Sequence, residues 1–306
     1  MIKQIKLPNE LNLIQTTRLA PVETAELMGR YGLTQEVIDY VVDRDESPNY
    51  VYDEDSGDEL FIVQIPHAMQ GTGLRYITQP VGFLLHEKAL FTFNPSGEPG
   101  FDQILAKNLQ KHANSRTELL FAVLFDLMDS FVPIMHQLTK QRNQLDKVLN
   151  QEIKNKQLVS LSHLQQTLSY FSSASELNLT MFHKLPRTHF FTTATSQDEL
   201  DDKKAILEDV TIEGEQVARM IETELAVVGR IGDTFNTIAN NNLNDTMKTL
   251  TIWSLTLTIP TILTGFYGMN VRLPGSHSST AWFGIILLSL VIALLLLFGL
   301  KLRHKL

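Results

Sequence analysis

Residues Ala281 to Leu300, AWFGIILLSLVIALLLLFGL, form a run of twenty without one charge. A span across the hydrocarbon layer of a bilayer needs about 20 apolar residues, so this run predicts a lipid-facing helix. A second charge-free run, Leu250 to Tyr267, lies just upstream and differs in kind. LTIWSLTLTIPTILTGFY carries five threonines, a serine and Pro260. Polar side chains inside a span ordinarily face a bundle or a watery path rather than lipid. The expectation is therefore two spans, 250–267 and 281–300, joined by an external loop at 268–280.

Basic residues near the spans set their orientation. Lys248 precedes the first, the basic tail 301–306 (KLRHKL) follows the second, and the loop holds only Arg272, so both termini are expected in the cytoplasm. All 34 acidic residues lie at or before Asp245, and only four of the 26 basic ones come after position 249, which leaves residues 1–249 at 22 basic against 34 acidic, net −12. An acidic region of this size does not suit nucleic acid, which needs a basic footprint, but it suits cations. With no cysteine, disulfides and thiolate metal sites are excluded. The opening MIKQIKLPNELNLIQTT has no continuous apolar core of a secretory signal.

Ahead of the spans, the pattern is mixed α/β over 1–114 and helical over 115–249. Short β-rich runs (YVYD, LFIVQI, VGFLLHEKALFTFNP) alternate with turn formers and with helical stretches such as VETAELMGRYG and TQEVIDYVVD. From about Ser115 one or two long amphipathic helices are expected, with Pro133 a kink or boundary. KLPRTHFFTT reads as a break. After it, from about Gln197, apolar residues such as Ile206, Val210, Val217, Ile221, Val228, Ile231 and Phe235 recur at helical spacing. No strong stop occurs before Pro260, since Gly214, Gly229 and Gly232 each cost only about 1 kcal/mol in a helix. One helix on the order of 90 to 100 Å long is expected to run from the cytosol into the membrane.

The register of that helix is informative. Asn244, Met247, Thr251, Ser254, Thr258, Thr261 and Gly265 follow one another at steps of three and four, which at 100° per residue confines them to an arc of about 100°. The opposite side is mainly Ile252, Trp253, Ile259 and Leu263. A polar stripe of this kind can line a pore, or its threonines can bond their own helix carbonyls while small residues pack helices together. Two spans cannot enclose a channel, so the pore reading requires an oligomer.

MKTLTIWSLTLTIPTILTGFYGMNV resembles the signature of the CorA family of magnesium transporters, whose first span ends in Gly-Met-Asn, matched here by Gly268, Met269 and Asn270. LTQEVIDYVVDRDESPNYVYDEDSGDELFIVQI, LLFAVLFDLMDSFVPIMHQL and ILEDV extend the likeness over most of the chain. The resemblance implies a homopentameric cell-membrane channel with an α/β cytoplasmic domain, a very long stalk helix, pore-lining first spans and lipid-facing second spans. It implies a selectivity filter at Gly268, Met269 and Asn270, a polar ring at Asn244 and an apolar gate at Met247 and Leu250. It further implies a regulatory metal at Asp209 and an ion-collecting role for Asp233. Mg²⁺ is the expected cargo, with Co²⁺ and Ni²⁺ also passing; Zn²⁺ or another divalent ion is the alternative, and a membrane-anchored sensor or scaffold is the rival of a different class. The external loop VRLPGSHSSTAW departs from many relatives, because it has no acid and places Arg272 two residues after Asn270.

Other motifs carry less. DEDSGDE at 53–59 is out of step with a calcium loop and reads as a hairpin turn. His183, His189 and His277 read as loop residues, and GTG at 71–73 lacks a following helix and reads as a turn. No nucleophile, acid and base constellation exists, so an enzyme is not expected.

Overall fold

The structure, a computed structural model, describes residues 1–8, 12–69, 71, 75–87, 89–148, 155–193, 196–269 and 281–302. It divides into two compact units, Met1–Gly232 and Asp233–Leu306.

The first unit is built on a six-stranded mixed sheet in the order β1-β2-β6-β5-β4-β3. Its strands are β1 (Ile2–Lys6), β2 (Asn12–Thr17), β3 (Asn49–Tyr52), β4 (Glu59–Ala68), β5 (Tyr76–His86) and β6 (Ala89–Asn94). Only β2 and β6 run parallel. Alternation along β4 assigns its side chains to two faces. Leu60 and Ile62 join Ile14, Leu84 and Phe91 under helices α1 (Pro21–Tyr31) and α2 (Gln35–Val42), which supply Leu27, Val37, Ile38 and Val41. On the other face, Phe61 meets Phe190 edge-on, and Phe83 packs on Phe101 of α3 (Pro99–His112). Every residue of β6 is buried, as a central strand covered on both faces must be. The DEDSGDE segment is the β3–β4 hairpin connection, in which the Gly57 amide donates to the Asp53 carbonyl and Gly57 takes φ 73°.

Two helices follow where one kinked helix was an option: α4 (Arg116–Asp129) and α5 (Phe131–Val148). The break falls at Ser130, and Pro133 sits inside the first turn of α5, where no intrahelical donor is needed from it. Helix α6 (Asn155–Lys184), a 3₁₀ turn at Leu185–Arg187 and the short α7 (His189–Thr192) lead to α8 (Gln197–Tyr267), which is unbroken for 71 residues with Pro260 inside it. Its buried side chains Leu207, Val210, Val217, Ile221, Val228 and Ile231 follow the helical period read from the sequence. A Cβ at Gly214 would approach Leu179 of α6 to 3.0 Å, and one at Gly232 would meet Leu161, so the two helices pack antiparallel with glycine at the tightest contact.

His183 and His189 are not loop residues. His183 lies in α6, 3.6 Å from Glu215, and His189 opens α7, where its Nδ1 is 3.0 Å from Glu59 and its ring stacks on Tyr52 at 3.7 Å. Both positions depend on partners far away in sequence. The same Glu59 stands 3.4 Å from the Tyr50 hydroxyl, whose pKa is driven far above the usual phenol value first by burial and then by that carboxylate.

Asn178 ties α6 to the sheet. Strand β3 pairs with β4 only as far as Ile62, and the next exposed backbone pair, at Gln64, is closed by one carboxamide: the Gln64 amide donates to Asn178 Oδ1 at 3.0 Å, and Asn178 Nδ2 donates to the Gln64 carbonyl at 2.9 Å. Asn178 is fully buried, so water cannot take its place. An unpaired buried group costs about 1–3 kcal/mol, and Asn178→Ala strands two of them. The variant is expected to be less stable by about 2–4 kcal/mol, read as a lower thermal midpoint of the detergent-solubilised chain; an unchanged midpoint would refute this role.

Candidate functional site

The second unit contains the end of α8 and the helix α9 (Ala281–Leu302). Among the described residues, three helical stretches are long and apolar enough to cross a membrane: Arg116–Lys147, Gln197–Tyr267 and Trp282–Leu300. Burial separates them. Half of the most apolar window in Arg116–Lys147 is packed inside the protein, whereas the corresponding windows of α8 and α9 are 0% and 6% buried. Little among the described residues covers the last two, and apolar surface of that extent calls for lipid or other copies of the protein.

Beyond Ile238 every residue of α8 through Thr251 is exposed. In the span itself, Thr251, Ser254, Thr258, Thr261 and Gly265 are exposed, while Ile252, Thr256, Ile259, Pro260, Leu263 and Tyr267 are half-buried. These two sets lie on nearly opposite sides of the helix. Trp253, expected among the apolar positions, is 63% exposed and stands at the edge of that face. Helix α9 has its own less exposed face, Ile285, Ser289, Ala293, Leu296 and Leu300, and Leu300 lines a cleft with Asn244, Met247, Lys248 and Thr251. Both alternatives for the threonines bear on the geometry. Thr251, Thr258 and Thr261 donate to the carbonyls of Met247, Ser254 and Leu257 at 2.8, 2.8 and 2.9 Å, and their oxygens keep free lone pairs on an exposed face.

The expected gate residues Met247 and Leu250 are 57% and 62% exposed. Asp233 and Asn244 are likewise exposed. Helix α8 ends just before the Gly-Met-Asn segment: the Gly268 amide donates to the Thr264 carbonyl at 2.9 Å and the Met269 amide to that of Phe266 at 3.2 Å. A Cβ at Gly268 would sit 3.2 Å from the Thr264 carbonyl oxygen, so glycine suits this tight end. Met269 is 54% exposed. Asn270, Arg272 and His277 lie outside the described residues.

Asp209 occupies different ground. It lines a cleft of about 480 Å³ between α3, α4 and α8, together with Lys107, Lys111, His112, Glu118 and Asp126. Sequence reading missed this company, because the lysines come from a helix a hundred residues away. One turn further along α8, burial and then the Asp129 charge raise the Glu213 carboxyl above its ordinary pKa. Among the described residues, no group of three or more histidine or acidic side chains is placed to hold a metal. Toward the end of the first unit, Arg142 of α5 grips Glu224 of α8 through two bonds of 3.2 and 3.0 Å, and Thr139 donates to the same carboxylate at 2.9 Å.

Residues 10–302 match the family described as CorA-like Mg2+ transporter protein. The chain belongs to that family. It is a CorA-family divalent-cation transporter, an integral membrane protein and not an enzyme. Its fold is that of the solved CorA magnesium transporter from Methanocaldococcus jannaschii, with a TM-score of 0.76 at 20% identity over 95% of this chain and 90% of that one. The full-length CmaX protein is similar at a TM-score of 0.69 and 14% identity, covering 96% of this chain and 90% of its own. The ZntB cytoplasmic domain from Vibrio parahaemolyticus aligns at 0.58 and 13%, over 76% of this chain and 88% of the domain. No curated protein matches the chain.

The division of α8 into exposed and half-buried faces makes a labelling prediction in this cysteine-free CorA chain. Cysteines at Thr251, Ser254, Thr258 and Thr261 are expected to react with small charged thiol reagents and to change flux on reaction. Those at Ile252, Ile259 and Leu263 are expected to stay inert, because thiolate needs water. Uniform labelling around the helix would show that this face does not line a path.

Proposed function

We propose that the chain is a homopentameric, channel-type Mg²⁺ transporter in which five copies of the end of α8 surround the pore and α9 faces lipid. The observation that carries this reading is the burial pattern of the first span, which leaves the hydroxyl stripe uncovered and turns Ile252, Ile259 and Leu263 inward within the chain. Two membrane crossings with both termini in the cytoplasm fit the basic residues at Lys248 and the tail. The solved relative of highest similarity described above is named a magnesium transporter, which favours Mg²⁺ over Zn²⁺ as cargo.

Mg²⁺ prefers octahedral oxygen and sheds its waters reluctantly, so the hydrated ion is the better target for recognition. A ring of five Asn270 carboxamides would offer neutral oxygens to those waters, tight enough to admit the ion and weak enough to release it. Deeper in, the free lone pairs of Thr251, Thr258 and Thr261 would accept from the same water shell. Rings of Met247 and Leu250 would close the path by excluding water, and Asn244 would present a polar ring beside them. Asp233 would gather ions at the inner mouth. The driving force is electrical: an inward step across 100 mV is worth about 4.6 kcal/mol to a divalent ion, at about 2.3 per unit charge.

Uptake of Mg²⁺, Co²⁺, Ni²⁺ and Zn²⁺ into liposomes holding the purified chain is expected to follow an imposed potential and to persist without a proton gradient. Uptake that collapses only with the proton gradient would count against a channel. Asn270→Ala is expected to abolish selective Mg²⁺ flux while light scattering still reports a pentamer; parent-like flux in this variant would remove Asn270 from the filter.

A further inference from the structure

Strands β2 and β6 are neighbours and run parallel, yet the chain leaves them toward opposite faces of the sheet. After β2 it passes to α1 and α2, which cover the face bearing Leu60, Leu84 and Phe91; after β6 it passes to α3, whose Phe101 packs on Phe83 of the other face. Parallel strands whose connections part in this way leave a crevice outside their carboxyl ends, the usual place for a ligand in an open α/β sheet. At that point lie a cleft of about 940 Å³ and a smaller pocket of about 90 Å³, and Arg18 and Arg44 line both.

Residues 1–249 carry 22 basic against 34 acidic side chains, so two arginines without acidic partners stand out among them. Arg18 directly follows β2. Its amide donates to the Asn94 carbonyl at the end of β6 at 3.1 Å, and its φ of 47° is one that a non-glycine residue adopts only at a cost. Its Nε donates to the Ser96 carbonyl at 3.0 Å, and the rest of its guanidinium has no partner among the described residues. Arg44, exposed just beyond α2, makes no hydrogen bond or ion pair with any of them. The connection from β6 to α3, NPSGEPG, makes room for Arg18: Gly97 takes φ 69°, and a Cβ there would stand 2.5 Å from Arg18 Nε. The acids lining the cleft are Glu98 and Asp45. Glu98 is engaged within the wall, one oxygen accepting from the Gly100 amide at 3.3 Å and the other lying 2.5 Å from His67 Nδ1. The Asp45 carboxylate is unengaged, so two guanidinium charges remain against one free acid.

We propose that this crevice binds a phosphate-bearing metabolite of nucleotide size, with Arg18 and Arg44 on its phosphates. The site is independent of the transport path. Guanidinium groups present planar forks that match phosphate oxygens two at a time. The cleft falls within the roughly 300–1,000 Å³ of small-molecule sites, so inorganic phosphate alone would leave most of it to water, whereas a nucleoside diphosphate would also cover Ala68 and Ile77. The first turn of α3 is not the cradle, because Glu98 already caps it. Side chains, rather than helix amides, read the anion.

The test titrates ADP, pyrophosphate and inorganic phosphate into the detergent-solubilised full chain by calorimetry at fixed free Mg²⁺. Saturable binding of ADP is expected, tighter than that of pyrophosphate or phosphate and weakened by added salt. Arg44→Ala removes a side chain that holds nothing in the fold, so the thermal midpoint should stay at the parent value while ADP affinity falls about ten- to a hundredfold, the loss of charge-assisted bonds. Asp45→Asn is expected to tighten ADP binding about two- to fivefold by removing one nearby negative charge. No saturable ADP binding, or binding that Arg44→Ala leaves unchanged, would overturn the site. Weaker binding in Asp45→Asn would show that the acid holds the ligand and that the charge argument is wrong. Pyrophosphate binding as tightly as ADP would remove the nucleotide-size part of the proposal.

Discussion

The hydrogen-bond ladder of α8 is the element on which the remainder depends. In lipid no water is present to satisfy a backbone amide or carbonyl, so a segment that crosses must close its own bonds, and a helix does so residue by residue. Helix α8 continues for 71 residues. Pro260 is the one place within the span where an amide is missing, and it falls on the half-buried side, away from the stripe of exposed hydroxyls. The threonines satisfy their own donors within the ladder, each hydroxyl adding a second donor to a carbonyl four residues earlier, an arrangement that tends to bend a helix slightly.

Much of the architecture was legible because it is periodic. The start of α8 at Gln197, its continuation past three glycines as far as Pro260, and the hairpin at DEDSGDE all follow from patterns within a few residues of one another. The break at Ser130 was less legible. Proline draws attention as a breaker, yet in the first turn of α5 it removes nothing the helix needs. The edge strand β1, its neighbour β2 and helix α3 also went unread; β1 is a half-exposed run holding two lysines, whose strand character comes from its partner.

The candidate site divides the same way. The stripe from Asn244 to Gly265 could be read at 100° per residue, and in the structure its members are exposed together with the apolar Leu255, Leu257, Ile262 and Phe266. The surroundings of Asp209 could not, since Lys107, Lys111 and Glu118 reach it only through the packing of α3 and α4 on α8. Asn178 is the same kind of case, a carboxamide that meets a strand backbone 114 residues away. Local spacing reports which face a residue occupies. It does not report what the rest of the chain brings to that face.

The grip of Arg142 on Glu224 has a consequence for descent. Their side chains are only 20% and 13% exposed, and breaking such a pair by removing one member leaves a stranded charge, whereas replacing both with apolar groups can be neutral. Drift through single substitutions at either position therefore passes through a disfavoured intermediate. Across CorA-family lineages that keep this packing, the two sites, 82 residues apart in the chain, should vary in concert, and their pairing would be a coevolutionary mark of how α5 is clasped to α8.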